Sequence, residues 1–343
     1  MNATPPAGVH EQAQLQTPVN LPAHRARVVA LVVVVTGLIL WASPPTALVA
    51  GVLFALLIGH PFAHWNHKVT KWLLQICVVL LGFGMNLPAV LRLGFDGSLF
   101  AATTIGTTLL LGRWLGRRLA LGPKTSLLVS VGTAICGGSA IAAVSSVIGA
   151  SEAEIAVSMG TIFLLNAIAL YVFPLAGHAL HLSQAQFGLW AGVAIHDISS
   201  VVGAGLSYGH DALQTAIAVK LSRTLWIVPL TLVIAFRLGR QKKTAVDGSP
   251  RAKHFKISAP WFIGFFLLAS LLSSYVPTIS GWAPHFSEIG RRGMILVLFL
   301  IGTSLSVRAL RAVGWRTVAS GLTLWLFIGV GSLTAITLFH LKP

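Results

Sequence analysis

The sequence predicts an all-α polytopic membrane protein, and three observations carry that prediction. Of 343 residues, 55% are hydrophobic and only 9% are charged, where a soluble domain averages about 25% charged. Mean hydropathy is +0.82. Apolar stretches near bilayer length recur along the chain, and a span needs about 20 apolar residues. So few charges cannot cover the surface of a soluble fold this long, which excludes a soluble enzyme domain, a nucleic-acid module and a disordered chain.

Residues 1–26 are polar and rich in Pro, Ala and Gln, with no apolar period; they read as a disordered cytoplasmic tail. Cutting the remainder, 27–343, at turn residues and charges gives eleven spans: 27–42, 44–60, 70–88, 97–116, 125–148, 155–176, 186–207, 212–236, 259–277, 292–309 and 317–339. The first is a span and not a cleaved signal, because Trp41-Ala42-Ser43 is a poor small-residue cleavage site. Only Ser43-Pro44-Pro45 separates it from the second.

With the N-terminus inside, eighteen Lys and Arg fall on the cytoplasmic side and four outside. That split obeys the positive-inside rule and sets an odd span count, N-in and C-out. It also explains the net charge of +16 without nucleic acid. Residues 237–258 form the long cytoplasmic linker. Spans two to six (44–176) and seven to eleven (186–339) make two five-helix units of opposite orientation, the arrangement of an inverted repeat. A weaker echo links Leu80–Leu87 with Leu300–Val307 at an offset of 220, but it pairs different helices.

Chemistry concentrates in three segments. Gly132-Thr133-Ala134-Ile135-Cys136-Gly137-Gly138-Ser139 lies mid-span, where glycines and hydroxyls weaken a helix. A broken helix presents free N–H groups to an anion; close packing through small residues is the competing reading. The second segment holds His196, Asp197 and Ser200. An acid at membrane depth costs about 2.5–3.5 kcal/mol and normally has a role, and histidine can switch charge near neutral pH. In the third, Lys220 and Arg223 share one helical face. One cation can pair with Asp197, leaving a positive charge for an oxyanion, which arginine binds bidentately; snorkelling to the interface is the alternative.

Elsewhere the signals are structural. Ser151 and Glu154 have capping-box spacing. Asn166 reads as an interhelical hydrogen-bonding residue. Pro61 interrupts His60, His64 and His67 and no carboxylate is near, so no metal is expected. Cys77 and Cys136 are both within apolar stretches and form no disulfide framework. Trp41, Trp65, Trp114 and Trp282 near span ends suit an aromatic belt. No phosphate-binding loop is present, so neither ATP nor another cofactor is expected.

From about residue 28 to the end, the chain resembles the YeiH-like family of sulfate exporters. Leu80–Leu87, Gly132–Ala143, Ala194–Gly205 and Ala218–Arg223 carry that resemblance. The family looks like a distant member of the cation:proton antiporter and anion transporter superfamily, alongside bile-acid-transporter-like proteins. The resemblance implies a core domain with two broken, crossing helices and a panel domain, moving as an elevator. One crossing helix would be the fifth span. The other would be the tenth, broken near Gly302-Thr303-Ser304, although that span has one glycine there and no proline.

The expectation is therefore a secondary anion transporter of the bacterial inner membrane, exporting sulfate or a related anion. Thr133, Cys136, Gly137, Gly138, Ser139, Lys220, Arg223, Thr303 and Ser304 would bind substrate. His196, Asp197 and Ser200 would couple transport to H⁺ or Na⁺. A homodimer is a compatible assembly. Two alternatives stand beside this reading: an intramembrane enzyme using Cys136 or a serine with His196 as base, and a passive anion channel.

Overall fold

The computed structural model describes residues 43–57, 63–96, 98–244, 261–304 and 314–338, with Val29, Leu31, Val33, Val34 and Gly37. The tail 1–26, Trp41 and the linker beyond residue 244 lie outside the described residues. Every regular element among the described residues is helical. Three of those helices, Glu152–Ala179, His210–Arg237 and Trp315–Leu338, are long and apolar enough to cross a membrane.

Local signals set the helix ends. Pro123 occupies the first turn of the helix it opens, where its missing N–H costs nothing. The Ser151 capping box forms: Ser151 Oγ accepts from Glu154 N at 3.3 Å, and Glu154 Oε2 accepts from Ser151 N at 2.8 Å. Ser183 and Gln186 repeat the device at Gln184–Ala194. The second span starts afresh at Pro44, with the Ser43 N–H donating to Thr46 Oγ1.

Four helices pack in a row: Ala283–Ser304 lies between Pro44–Leu57 and Ala63–Gly82, and Ala63–Gly82 packs in turn on Trp261–Tyr275. Ala63–Gly82 and Ala283–Ser304 run antiparallel, with Asn66 at Leu300 and Thr303 and Phe83 at Phe286. Against Pro44–Leu57, glycine meets glycine. A Cβ on Gly51 would stand 2.1 Å from the Phe299 carbonyl oxygen, and one on Gly302 would stand 2.3 Å from that of Leu48. Gly302 is thus a packing glycine inside a helix that is continuous through Ser304.

The remaining helices surround two interrupted ones. Pro123–Ala134 and Gly138–Ile148 are halves of the first, broken where the sequence places it. Among the described residues the second interruption is not at Gly302-Thr303-Ser304, where the resemblance implies it, but in the seventh span: Gln184–Ala194 and Ile198–Tyr208 flank Ile195-His196-Asp197. The two breaks fall in the fourth span of one five-helix unit and the first of the next, so they are not equivalent positions of that repeat.

Candidate functional site

The two interruptions touch. At the first, Gly137 adopts φ +64, ψ −125, a conformation open to glycine and strained for other residues. A Cβ on Gly137 would stand 3.5 Å from the His196 carbonyl. At the second, Ile195 and Asp197 are extended. The crossing therefore brings four half-helix ends together inside the protein, each with backbone groups lacking an intrahelical partner.

Buried charges answer these ends. Lys220 and Arg223, 0% and 1% exposed, both project from His210–Leu225. Lys220 Nζ donates to the Ile135 carbonyl at 3.2 Å. Arg223 Nη2 donates to the Ala134 carbonyl at 2.5 Å, and Nη1 to Thr104 Oγ1 at 2.8 Å. Two cations thus sit on the carbonyl end of Pro123–Ala134, where the helix dipole is negative. Asp197 does the converse at the start of Ile198–Tyr208. Its Oδ2 accepts from the Ser199 N–H at 3.1 Å and from the Ser199 hydroxyl.

This arrangement replaces the direct pairing expected between Asp197 and one of the cations. The ion pairs found among the described residues are His210–Asp211 and Glu288–Arg292. The physical reason is the broken helices themselves: their ends supply partial charges at the right depth, so each ionised group finds a backbone partner first. Complete burial also excludes snorkelling for both cations.

Of the other predicted residues, Thr133 is buried at the crossing with no partner for its hydroxyl. Cys136 Sγ lies 2.9 Å from Ser139 Oγ, which also donates to the Cys136 carbonyl. The Gly138–Ile148 start has no side-chain cap. Asn166 Oδ1 accepts from the Asp197 N–H at 3.2 Å, the interhelical role expected of it. Ser200, 7% exposed, stands beside Asp197. Thr303 faces elsewhere: it accepts from Asn66 Nδ2 at 2.8 Å and donates to the Leu300 carbonyl, stitching two packed helices. Ser304 ends its described helix.

Sequence reasoning missed four contributors. Ser199 was signalled by Asp-x-Ser, an N-cap pattern, once the break itself is known. Thr104 sits in an unremarkable small-residue helix. Ser320 and Trp325 come from Trp315–Leu338, which packs on Pro123–Ala134 and Gln184–Ala194. The Trp325 ring lies 6.3 Å from that of His196. No sequence pattern marks those three.

The buried polar atoms left without a partner around this crossing are Thr133 Oγ1, Asn166 Nδ2, both His196 ring nitrogens, Arg223 Nε, Ser320 Oγ and Trp325 Nε1. Three of these only donate, and the hydroxyls and imidazole can. None is an obligate acceptor except one nitrogen of a neutral His196.

The family model described as Conserved hypothetical protein 698 matches residues 26–321. A UPF0324 membrane protein of Porphyromonas gingivalis is 47% identical over 306 residues, covering 87% of this chain and 88% of its own. One of Bacteroides thetaiotaomicron is 44% identical, covering 86% and 87%. The UPF0324 membrane protein Bd1437 of Bdellovibrio bacteriovorus is 43% identical, covering 86% and 89%. No solved structure matches the chain. With a family model spanning most of its length and relatives this similar over 86% and 87% of it, the chain belongs to the UPF0324 family of membrane proteins.

Proposed function

We propose that this protein is a secondary transporter of a small anion, with sulfate and related oxyanions as the first candidates. The observation that carries the reading is the chemistry of the crossing. Two fully buried cations and an excess of unpaired donors stand around two broken helices. Unpaired buried donors cost about 1–3 kcal/mol each, and a ligand rich in acceptor oxygens relieves that cost. Broken helices at membrane depth are where transporters place their sites. Elevator-type alternating access would require the four-helix group to slide against the group around the crossing, with which it shares a continuous apolar core in this state.

The test is flux in proteoliposomes, with labelled sulfate and a panel of small oxyanions and carboxylates, with and without imposed gradients. Saturable, gradient-dependent uptake of one of them is expected. Unsaturable current would favour a channel, and covalent labelling of Cys136 by a substrate mimic without flux would favour an enzyme.

The charge asymmetry supports an orientation with the C-terminus in the periplasm, and with it a location in the bacterial inner membrane. A reporter fused after Pro343 is expected to be active only on the periplasmic side. Activity in the cytoplasm would reverse the orientation.

A further inference from the structure

The halves of each interrupted segment return to where they began. In the first, Lys124, at the start of Pro123–Ala134, donates through Nζ to the carbonyl of Gly149, just past Gly138–Ile148, at 2.7 Å. Nearer the break, a Cβ on Gly132 would stand 3.0 Å from the Ile141 side chain. In the second, the Tyr208 hydroxyl, at the end of Ile198–Tyr208, donates to the Leu182 carbonyl at 2.7 Å. Its ring stacks on Phe187, with centroids 3.7 Å apart. Gln184 Oε1, where that segment starts, accepts from the Asp211 N–H at 3.0 Å. A broken helix that ran on across the bilayer would hold its two ends about 30 Å apart. Each half has 11 or 12 residues, about 17 Å of helix, enough to reach the bilayer centre and no further.

We infer that neither segment spans the membrane: each is a re-entrant hairpin, the two are inserted from opposite faces, and each closes one face off from the buried site at their tips. Opposite insertion follows from the helix between them. Glu152–Ala179 starts beside the base of the first hairpin and ends beside the base of the second, and its 28 residues cover about 42 Å. His210–Arg237, also 28 residues, carries the chain back. Removing two crossings from the expected eleven leaves an odd number, so the termini keep their faces. No Lys or Arg occurs between Lys124 and Lys220, so the positive-inside count is the same for both arrangements. On the orientation proposed from that count, the first hairpin enters from the cytoplasm and the second from the periplasm.

A hairpin and the helix behind it form a unit that occurs twice. Ile135, Ser139 and Gly149 recur as Ile195, Ser199 and Gly209 at an offset of 60, and Gly149 and Gly209 both take positive φ where a hairpin ends. The two units face opposite ways, and each holds the other's tip. Asn166, behind the first hairpin, accepts from the Asp197 N–H in the second tip. Lys220 and Arg223, behind the second, donate to the Ile135 and Ala134 carbonyls in the first. Swinging the first hairpin outward breaks the Lys220 and Arg223 bonds, and swinging the second breaks the Asn166 bond. The hairpins are thus separate lids, which open the site to one face at a time without the four-helix group sliding. That use rests on the transporter reading; the insertion of the hairpins does not.

Side-specific labelling with a membrane-impermeant maleimide tests the insertion, in inside-out and right-side-out vesicles. Arg118→Cys and Glu152→Cys flank the first hairpin, Leu180→Cys and His210→Cys flank the second, and all four positions are exposed. The native Cys77 and Cys136 are buried, and the parent protein gives their background. Residues 118 and 152 are expected to label from one face, and residues 180 and 210 from the other. Members of either pair labelling from opposite faces would restore a full crossing there and overturn the inference. Both pairs on the same face would overturn opposite insertion. The lids are tested by amide hydrogen exchange on purified Asn166→Ala, which loosens the second tip alone. Exchange across 184–208 is expected to rise about tenfold, the equivalent of one lost buried hydrogen bond, with 123–148 unchanged. An equal rise in both, or in neither, would refute separate lids. Absence of anion flux with the labelling as expected would sink the transporter reading and leave the hairpins standing.

Discussion

Arg223→Ala is expected to destabilise the protein by about 2–4 kcal/mol and to abolish anion flux. The variant leaves the Ala134 carbonyl and the Thr104 hydroxyl without the donor each now has, and an unsatisfied buried group costs about 1–3 kcal/mol. It also removes a cation from the carbonyl end of Pro123–Ala134, a contact worth up to about 2 kcal/mol when buried. Arg223→Lys keeps the charge but can no longer span both acceptors. It should lose about half that stability and show weakened apparent affinity for the transported anion. Denaturation of purified protein and proteoliposome uptake measure the two effects. The double variant with Asp197→Ala separates this account from a salt bridge. Asp197 and Arg223 share no hydrogen-bond partner and each holds a different half-helix end, so the double variant should be less stable than either single one. A double variant more stable than Arg223→Ala alone would restore the direct pair and refute capping.

The first interruption was legible because its cause is local. Three glycines with hydroxyls at membrane depth make a poor helix whatever surrounds them, and the break falls at Ile135–Gly137 within the predicted segment. The second was legible only as chemistry. His196 and Asp197 stood out as polar residues in an apolar span, yet nothing in Ala194–Ser200 lacks helix-forming ability as plainly as Cys-Gly-Gly-Ser does. Its cause is tertiary: Asn166 from another helix holds the Asp197 N–H, and Asp197 then caps the next half-helix. The tenth span misled for the opposite reason. Gly302 looks like a weak point in one dimension, while in three it lets Pro44–Leu57 approach to backbone contact. Glycine's two uses, special φ and close approach, are indistinguishable in a single sequence. The pairing of buried charges failed similarly. Counting side-chain charges omits the partial charges of helix ends, and these appear only once the breaks are known.

Gly137 and Gly138, adjacent in sequence, are expected to fail in different ways when substituted. Gly137 combines φ +64 with ψ −125, which lies outside even the left-handed helical well that asparagine tolerates. A Cβ there would also press on Ile162 at 3.3 Å and on the His196 carbonyl. Gly137→Val should therefore cost about 2–3 kcal/mol, and Gly137→Asn should not rescue it. Gly138 is already helical, and a Cβ on it meets only the Phe163 ring edge at 3.4 Å. Gly138→Ala should be neutral or slightly stabilising, since alanine loses less chain entropy. Gly138→Leu should still insert and purify as a monodisperse folded protein while losing anion flux. Its side chain would cover the uncapped N–H groups of Gly138–Ile148 and displace Phe163 from the wall of a small cavity at Asp197. Melting curves and flux on the four variants decide the matter. A wild-type melt for Gly137→Val would remove the strained turn from the account of the crossing. Undiminished flux in Gly138→Leu would reduce the open half-helix start to a packing feature and take it out of the substrate path.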